Sequence, residues 1–297
     1  MSAPREPGPP AGRRAAAAGA PAAPGRGRGT GERPRGASSP RSGARGPAPA
    51  ARLPPAGQAA AAGVVLVALW QAAVWLFALP PFILPGPLRV LEALWAERGL
   101  IAHHAGITAL EVALGLVFGV ALGAVTAIGL AASPVARALV RPALVATQAL
   151  PVFALAPILT LWLGYGIASK VLMAVLIIYF PVTSAFFDGL MRTPPGWLDL
   201  GHTMGASPRR LMWRIRVPAA VPALASGLRL AAVYAPIGAV IGEWVGAAGG
   251  LGYLMLLANG RAKTDLMFAA LLVLALLTLA LYRAVGRGCD RLTERMS

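Results

Sequence analysis

Residues 106–131 read GITALEVALGLVFGVALGAVTAIGLA, 26 positions with a single charged side chain, Glu111. As a helix rising about 1.5 Å per residue, this run extends about 39 Å, enough to cross a hydrocarbon core of about 30 Å. A soluble domain with an oversized core leaves so long an apolar run unexplained. An unpaired backbone cannot face lipid and the run does not alternate apolar with polar residues, so only a helix fits. Gly115, Gly119 and Gly123 form a small-xxx-small stripe along it, which lets another helix approach closely.

Working outward, five more runs of about 20 residues are apolar enough to span: 59–79, 142–163, 171–190, 223–245 and 266–285. The expected fold class is therefore an all-α membrane protein with about six transmembrane helices. Composition agrees: 57% of the 297 residues are hydrophobic and 13% charged, with a mean hydropathy of +0.66, whereas a soluble domain is about 25% charged. Two domains follow: an Ala/Pro/Gly/Arg-rich tail over 1–55, expected to be disordered, and a transmembrane domain over 56–297. The tail lacks the compact charged start, apolar run and cleavage site of a signal peptide.

The formal charge of +16 would suit a nucleic-acid binder, but its placement argues otherwise. Ten of the 27 Lys and Arg residues lie in the first 52 positions and most of the others flank apolar runs. Connections carrying Arg137 and Arg141, then Arg192, Arg209, Arg210, Arg214 and Arg216, then Arg283, Arg287, Arg291 and Arg295 put both termini in the cytoplasm by the positive-inside rule. Lys170 fits this topology poorly and is expected to snorkel to the outer interface.

Several residues within the spans invite a functional reading. Pro151, Pro157, Pro181 and Pro236 each remove a helical hydrogen bond, which suits either kinks around a pathway or packing alone. Glu243 needs the bundle interior, interfacial water or a partner such as Arg229 or Lys263. Glu111 reads as a packing residue. His103, His104 and His202 form no metal pattern, so no metal is expected. Cys289, the only cysteine, is placed in a basic C-terminal tail and permits no intrachain disulfide.

The connection 191–222 is far longer than two neighbouring helices require. Within it Ser207 and Pro208 make a helix start, hydroxyl cap then proline at the first position, and the helix is expected to stop before Pro218. Leu211, Met212 and Ile215 share one face, with arginines over the rest. Periodicity alone leaves two readings equal: an amphipathic helix lying on the membrane surface, or a helix pair that docks into a soluble partner.

This segment resembles the cytoplasmic EAA loop of ABC importer permeases, an acid-Ala-Ala start with Gly four positions after the last residue of the triplet, then nine residues, Ile, any residue, Leu and Pro. Asp199, Leu200 and Gly201 stand at the triplet, Gly205 at the glycine, and Ile215, Val217 and Pro218 at the ending. The departures are Asp for Glu, Leu and Gly for the two alanines, and Val for Leu. The runs 154–158, 161–164, 235–246 and 250–254 look like the nitrate, sulfonate and taurine importer group, and the Ala235-Pro236-Ile237-Gly238 run is most similar to permeases for thiamine-related pyrimidine precursors.

The resemblance implies a type I importer permease fold in a bacterial inner membrane, working as a homodimer. It implies an ABC ATPase subunit that binds the ATP, and an extracytoplasmic substrate-binding protein; this chain would hold no cofactor and catalyse nothing. Its coupling residues would be Asp199, Leu200, Gly201, Gly205, Ala206, Ser207, Ile215, Val217 and Pro218, with Gly205 turning between two short helices where a side chain would crowd the contact. Pro157, Tyr234, Pro236 and Glu243 would belong to the translocation pathway. The chain has no G-x-x-x-x-G-K-[ST] phosphate loop, so nucleotide chemistry must reside in another chain. The rival classes are an ion-coupled secondary transporter, for which intramembrane acids are few, and an intramembrane enzyme, for which no nucleophile, base and orienter recur together.

Overall fold

A computed structural model of the chain describes residues 55–246 and 248–295, with side chains from residue 61 onward. The expected disorder of the tail concerns residues outside those described. Helices and the turns between them make up the described residues: α1 (Pro55–Leu76), α2 (Pro87–Ala96), α3 (Arg98–Ala132), α4 (Pro134–Thr147), α5 (Val152–Leu163), α6 (Ile167–Met191), α7 (Pro195–Thr203), α8 (Pro208–Leu211), a π turn (Met212–Arg216), α9 (Val217–Gly246), α10 (Leu251–Gly260) and α11 (Thr264–Glu294).

Four stretches are long and apolar enough to cross a membrane: α3, α6, α11 and the continuous Pro208–Gly246 run that ends in α9. They outreach the apolar runs read from sequence, because helix continues past the hydrocarbon boundary. The third expected span, 142–163, is not one helix. It divides into α4 and α5, bent by 97° at their junction. Pro151 stands at that junction in an extended conformation, with ψ 115°, and a residue preceding proline is steered away from the helical region. Pro181 and Pro236, by contrast, sit inside the continuous helices α6 and α9. The first expected span, 59–79, ends earlier, at Leu76.

The packing centre is α6, which lies between α3 and α9. Its residues Ala174, Ile178 and Val182 are fully buried. On one side the Gly115, Gly119 and Gly123 stripe rides directly on those three residues, and a Cβ on Gly123 would stand 3.0 Å from Val182 Cγ1. On the other side Gly238 of α9 sits so close that a Cβ there would stand 2.6 Å from the Ala174 Cα. Two seams of small residues thus let both neighbours approach α6 at backbone distance. A second cluster joins α2, α10 and α11 to the start of α3 through Val90, Ile101, Leu251, Leu254 and Leu266. Outward-facing Val117, Phe118, Leu122 and Val125 of α3 are all at least half exposed, a surface that lipid would cover.

Cys289 also moves relative to expectation. It lies inside α11, 1% exposed, and its thiol donates to the Ala225 carbonyl at 3.6 Å.

Because the neighbour of Gly238 is backbone, which cannot rotate away, Gly238→Ala should destabilise by about 1–3 kcal/mol. Gly129→Ala, where a Cβ meets nothing within 4 Å, should be neutral. Thermal unfolding in detergent, followed by size-exclusion recovery, tests the pair; equal midpoints would contradict the seam.

Candidate functional site

Two constellations stand out, one in the long connection and one buried between helices. In the connection, α7 ends on Thr203 with Met204 as its C-cap, and the chain reverses at Gly205, whose φ of 72° lies in the left-handed region that glycine adopts without cost. A Cβ at Gly205 would meet nothing within 4 Å, so within this chain the glycine answers to backbone conformation and not to crowding. Ser207 then caps α8, its hydroxyl accepting from the Arg210 N–H at 3.4 Å, and Pro208 takes the first helical position as expected.

The helix does not stop before Pro218. It passes through the π turn, where the Val217 N–H reaches back five residues to the Met212 carbonyl, and continues as α9. A proline ring normally collides with the carbonyl four residues earlier. The wider turn ahead of Pro218 moves that carbonyl aside, so α8 and α9 form one mechanical piece.

Across the reversal, Gly201 is buried against α8. A Cβ there would collide with the Leu211 side chain and stand 3.0 Å from Ile215 Cδ1, which explains glycine where the loop pattern has alanine. Leu211 and Met212 are buried and Ile215 half-buried, as the periodicity requires, while Asp199, Leu200, Ser207 and the arginines 209, 210 and 214 are exposed; Ala206, Val217 and Pro218 are half-buried. The outer surface is apolar beyond what a solvated loop needs: Trp197, Leu200, Met204 and Trp213 are 55%, 62%, 77% and 56% exposed. A groove of about 470 Å³ opens between this loop and the start of α9, lined by Trp197, Leu200, Ile215 and Pro218.

The second constellation gathers side chains that the sequence separates widely. The first three backbone N–H groups at the start of α10 find no partner within their own helix, and each is taken by a side chain from elsewhere. Gly250 N–H donates to His104 Nδ1 at 3.0 Å, Leu251 N–H to Thr108 Oγ1 at 2.8 Å, and Gly252 N–H to Glu243 Oε2. Thr108 in turn donates to Glu243 Oε1 at 2.6 Å. A Cβ on Gly250, which has φ 111°, would collide with the Glu243 carboxyl group, so glycine is needed for the carboxylate to reach the helix start. One turn further along α3, Glu111 pairs with Lys170 of α6 at 2.9 Å.

Of the settings open to Glu243, the structure shows the bundle interior, where it is 1% exposed; Arg229 pairs with Asp290 instead, at 2.6 Å. Two other expectations are corrected. Lys170 does not snorkel but is 5% exposed beside Glu111, and Glu111 is an ion-pair partner as well as a packing residue. Sequence reasoning treated Glu111, Lys170 and Glu243 singly and passed over His104 and Thr108 as partners. The available signal was that the few charges within the apolar runs comprise acids and a base that can meet only in one interior. Of the four pathway residues, Pro157 is exposed on α5, Pro236 is buried, Tyr234 is 37% exposed, and Glu243 is 1% exposed.

Removing one member of a buried ion pair leaves the other uncompensated, typically a loss of about 3–5 kcal/mol. Lys170→Met should therefore lower the thermal midpoint in detergent sharply, and adding Glu111→Gln to it should recover much of the loss. A double variant no more stable than Lys170→Met would show that the pair does not act as a unit.

Comparison with known proteins places this architecture. A probable ABC transporter permease protein of Haemophilus influenzae is 52% identical over 221 residues, covering 74% of this chain and 90% of that protein. The formylaminopyrimidine transport permease ThiX of Halalkalibacterium halodurans is 35% identical over 75% of this chain and 90% of its own length. The taurine transport permease TauC of Escherichia coli is 27% identical over 73% and 82%. A solved structure of the MetNI methionine ABC transporter superposes with a TM-score of 0.51 and 19% identity, covering 70% of this chain and 98% of that chain, and so shares its fold. These relatives agree with the resemblance to the taurine and sulfonate group and to pyrimidine-precursor permeases. The chain is thus a multi-pass membrane permease component and not an enzyme. Residues 119–292 match the model of the binding-protein-dependent transport system inner membrane component, and the chain belongs to that family of ABC importer permeases.

Proposed function

We propose that residues 199–218 couple this permease to a separate ATPase, and that its solute is a small thiamine-related pyrimidine precursor. The observation that carries the coupling role is the unbroken helical path from Pro208 through the π turn into α9. A partner seated on the exposed Trp197, Leu200 and Met204 surface pushes on α7 and α8, and a continuous helix delivers that push to α9. There Gly238 transfers it to α6 at backbone contact. ATP-driven closure of the partner thereby rocks α9 and α6 and exposes a central path alternately to each side.

In this reading two copies of the chain enclose the path, with a binding protein delivering solute from outside and residues 191–222 and both termini in the cytoplasm. Pro157, Tyr234 and Pro236 serve the path, and Glu243 serves it indirectly by fixing the start of α10. The pyrimidine class is favoured over taurine by the greater identity to ThiX, 35% against 27%.

Co-purification in detergent with a co-expressed ABC ATPase subunit from the same organism tests the docking. The native chain should retain the ATPase and a chain lacking residues 199–215 should not; an ATPase kept by both would place the contact elsewhere. Gly205→Val, which forces a β-branched residue into positive φ, should leave the protein inserted but cut solute uptake at least tenfold while ATP hydrolysis continues. Unchanged uptake would remove Gly205 from the coupling path. Uptake in proteoliposomes of a formylated aminopyrimidine against taurine decides the substrate class.

A further inference from the structure

A recess of about 580 Å³ lies where α3 and α6 end, roofed by α7, α8 and the π turn. Its charged lining consists of Arg137, Arg209 and Arg216, with His202 beside them, and no carboxylate is among the described lining residues. Arg137 is held in place, its guanidinium donating to the Leu130 and Ala131 carbonyls at 3.3 and 3.2 Å and standing 5.7 Å from the Phe187 ring centre. Arg209 and Arg216 have no side-chain ion pair or hydrogen bond among the described residues. Arg216 is half-buried. A half-desolvated guanidinium sharing a recess with two other arginines, with no counter-charge among the described lining residues, is a site that calls for an anion.

Which anion is indicated by the rest of the lining. Ile128 and Met191 belong to the last turns of two membrane-crossing helices, and Trp213, 56% exposed, flanks the basic side. The recess therefore joins a cluster of guanidinium groups to apolar surface at the level where spans leave the hydrocarbon, with an aromatic ring at the boundary. A soluble anion would use only the first of these features. We propose that the recess binds the phosphodiester headgroup of an anionic phospholipid, with Arg209 and Arg216 on the phosphate and the acyl chains along the ends of α3 and α6. The proposal rests on the topology given above, in which this face meets the cytoplasmic leaflet. A bound lipid would tie α8 to the ends of α3 and α6.

The purified chain, without ATPase, is exchanged into nanodiscs or detergent containing phosphatidylglycerol or phosphatidylcholine, and retained lipid is counted by native mass spectrometry. At about one surface-charge contact per arginine, Arg209→Gln with Arg216→Gln should weaken phosphatidylglycerol retention about tenfold to thirtyfold. The Lys pair at the same positions should keep most of the retention, and this holds the test open if the Gln pair folds poorly. Arg210→Gln with Arg214→Gln, an equal loss of charge outside the recess, should leave it unchanged.

Equal loss in the Arg210 and Arg214 variant would reduce the effect to general surface charge, and equal retention of phosphatidylcholine would show that the anionic headgroup is not recognised; either result would overturn the site. Displacement of the lipid by millimolar inorganic phosphate or glycerol phosphate would make the ligand a soluble anion and overturn the lipid assignment. Because ATPase is absent, the result is independent of whether the docking experiment succeeds.

Discussion

Three backbone N–H groups at the start of α10 organise the interior of this permease. A helix start buried among apolar helices must have its free donors satisfied, and here the acceptors come from His104 and Thr108 of α3 and from Glu243 of α9. One short helix thereby fixes the separation and rotation of two long ones. The requirement reaches back into composition: Gly250 and Gly252 must lack side chains for the carboxylate to approach, and Glu243 is tolerated at depth because it accepts two hydrogen bonds. Lys170 and Glu111 extend the same interior to α6, so α3, α6, α9 and α10 meet through polar groups as well as through apolar packing.

Small residues and buried polar groups divide the labour. Along α6, alanine and glycine seams bring helices to backbone distance, where dispersion resists sliding weakly, and the Tyr179 hydroxyl adds a directional tie to Thr126 Oγ1 of α3 at 3.1 Å. Hydrogen bonds and the ion pair are directional and permit few registers. Polar ties are therefore densest around α10, and the contact running from there toward the loop is mostly small residues with the Tyr179–Thr126 bond within it. That division suits a component whose helices move as rods against one another. The bend separates the packing of α4 from that of α5: no residue of α4 is buried, whereas Ala156 and Leu159 of α5 pack with Met173 of α6.

How much of this could be read from sequence depended on the range of the interaction. Long apolar runs with one charge or none declared α3 and α6, and Ser207 with Pro208 declared the α8 start, because both signals are local. The break at Pro151 was hidden because Ala149 and Leu150 on its near side and Val152 on its far side keep the segment apolar, so hydropathy runs on while the backbone turns. Passage through Pro218 was hidden because a π turn leaves no mark in a pattern of side chains. The partners of Glu243 were hidden because two are bound through backbone N–H groups or a threonine 135 positions away. Lys170 was assigned to the interface by reasoning about one residue, where the answer lay in Glu111, 59 positions earlier.

The π turn between α8 and α9 has a geometric consequence. A π turn holds one residue more than the α-helical hydrogen-bond pattern accommodates, and one residue corresponds to about 100° of rotation and about 1.5 Å of rise. If the Val217 N–H shifted its acceptor from Met212 to Trp213, that surplus residue would be displaced along the helix and the face carried by α8 would turn by about a quarter circle relative to α9. The surplus residue thus sets the rotational phase at which the arginine-bearing surface of α8 meets α9, while the two helices remain one stiff shaft.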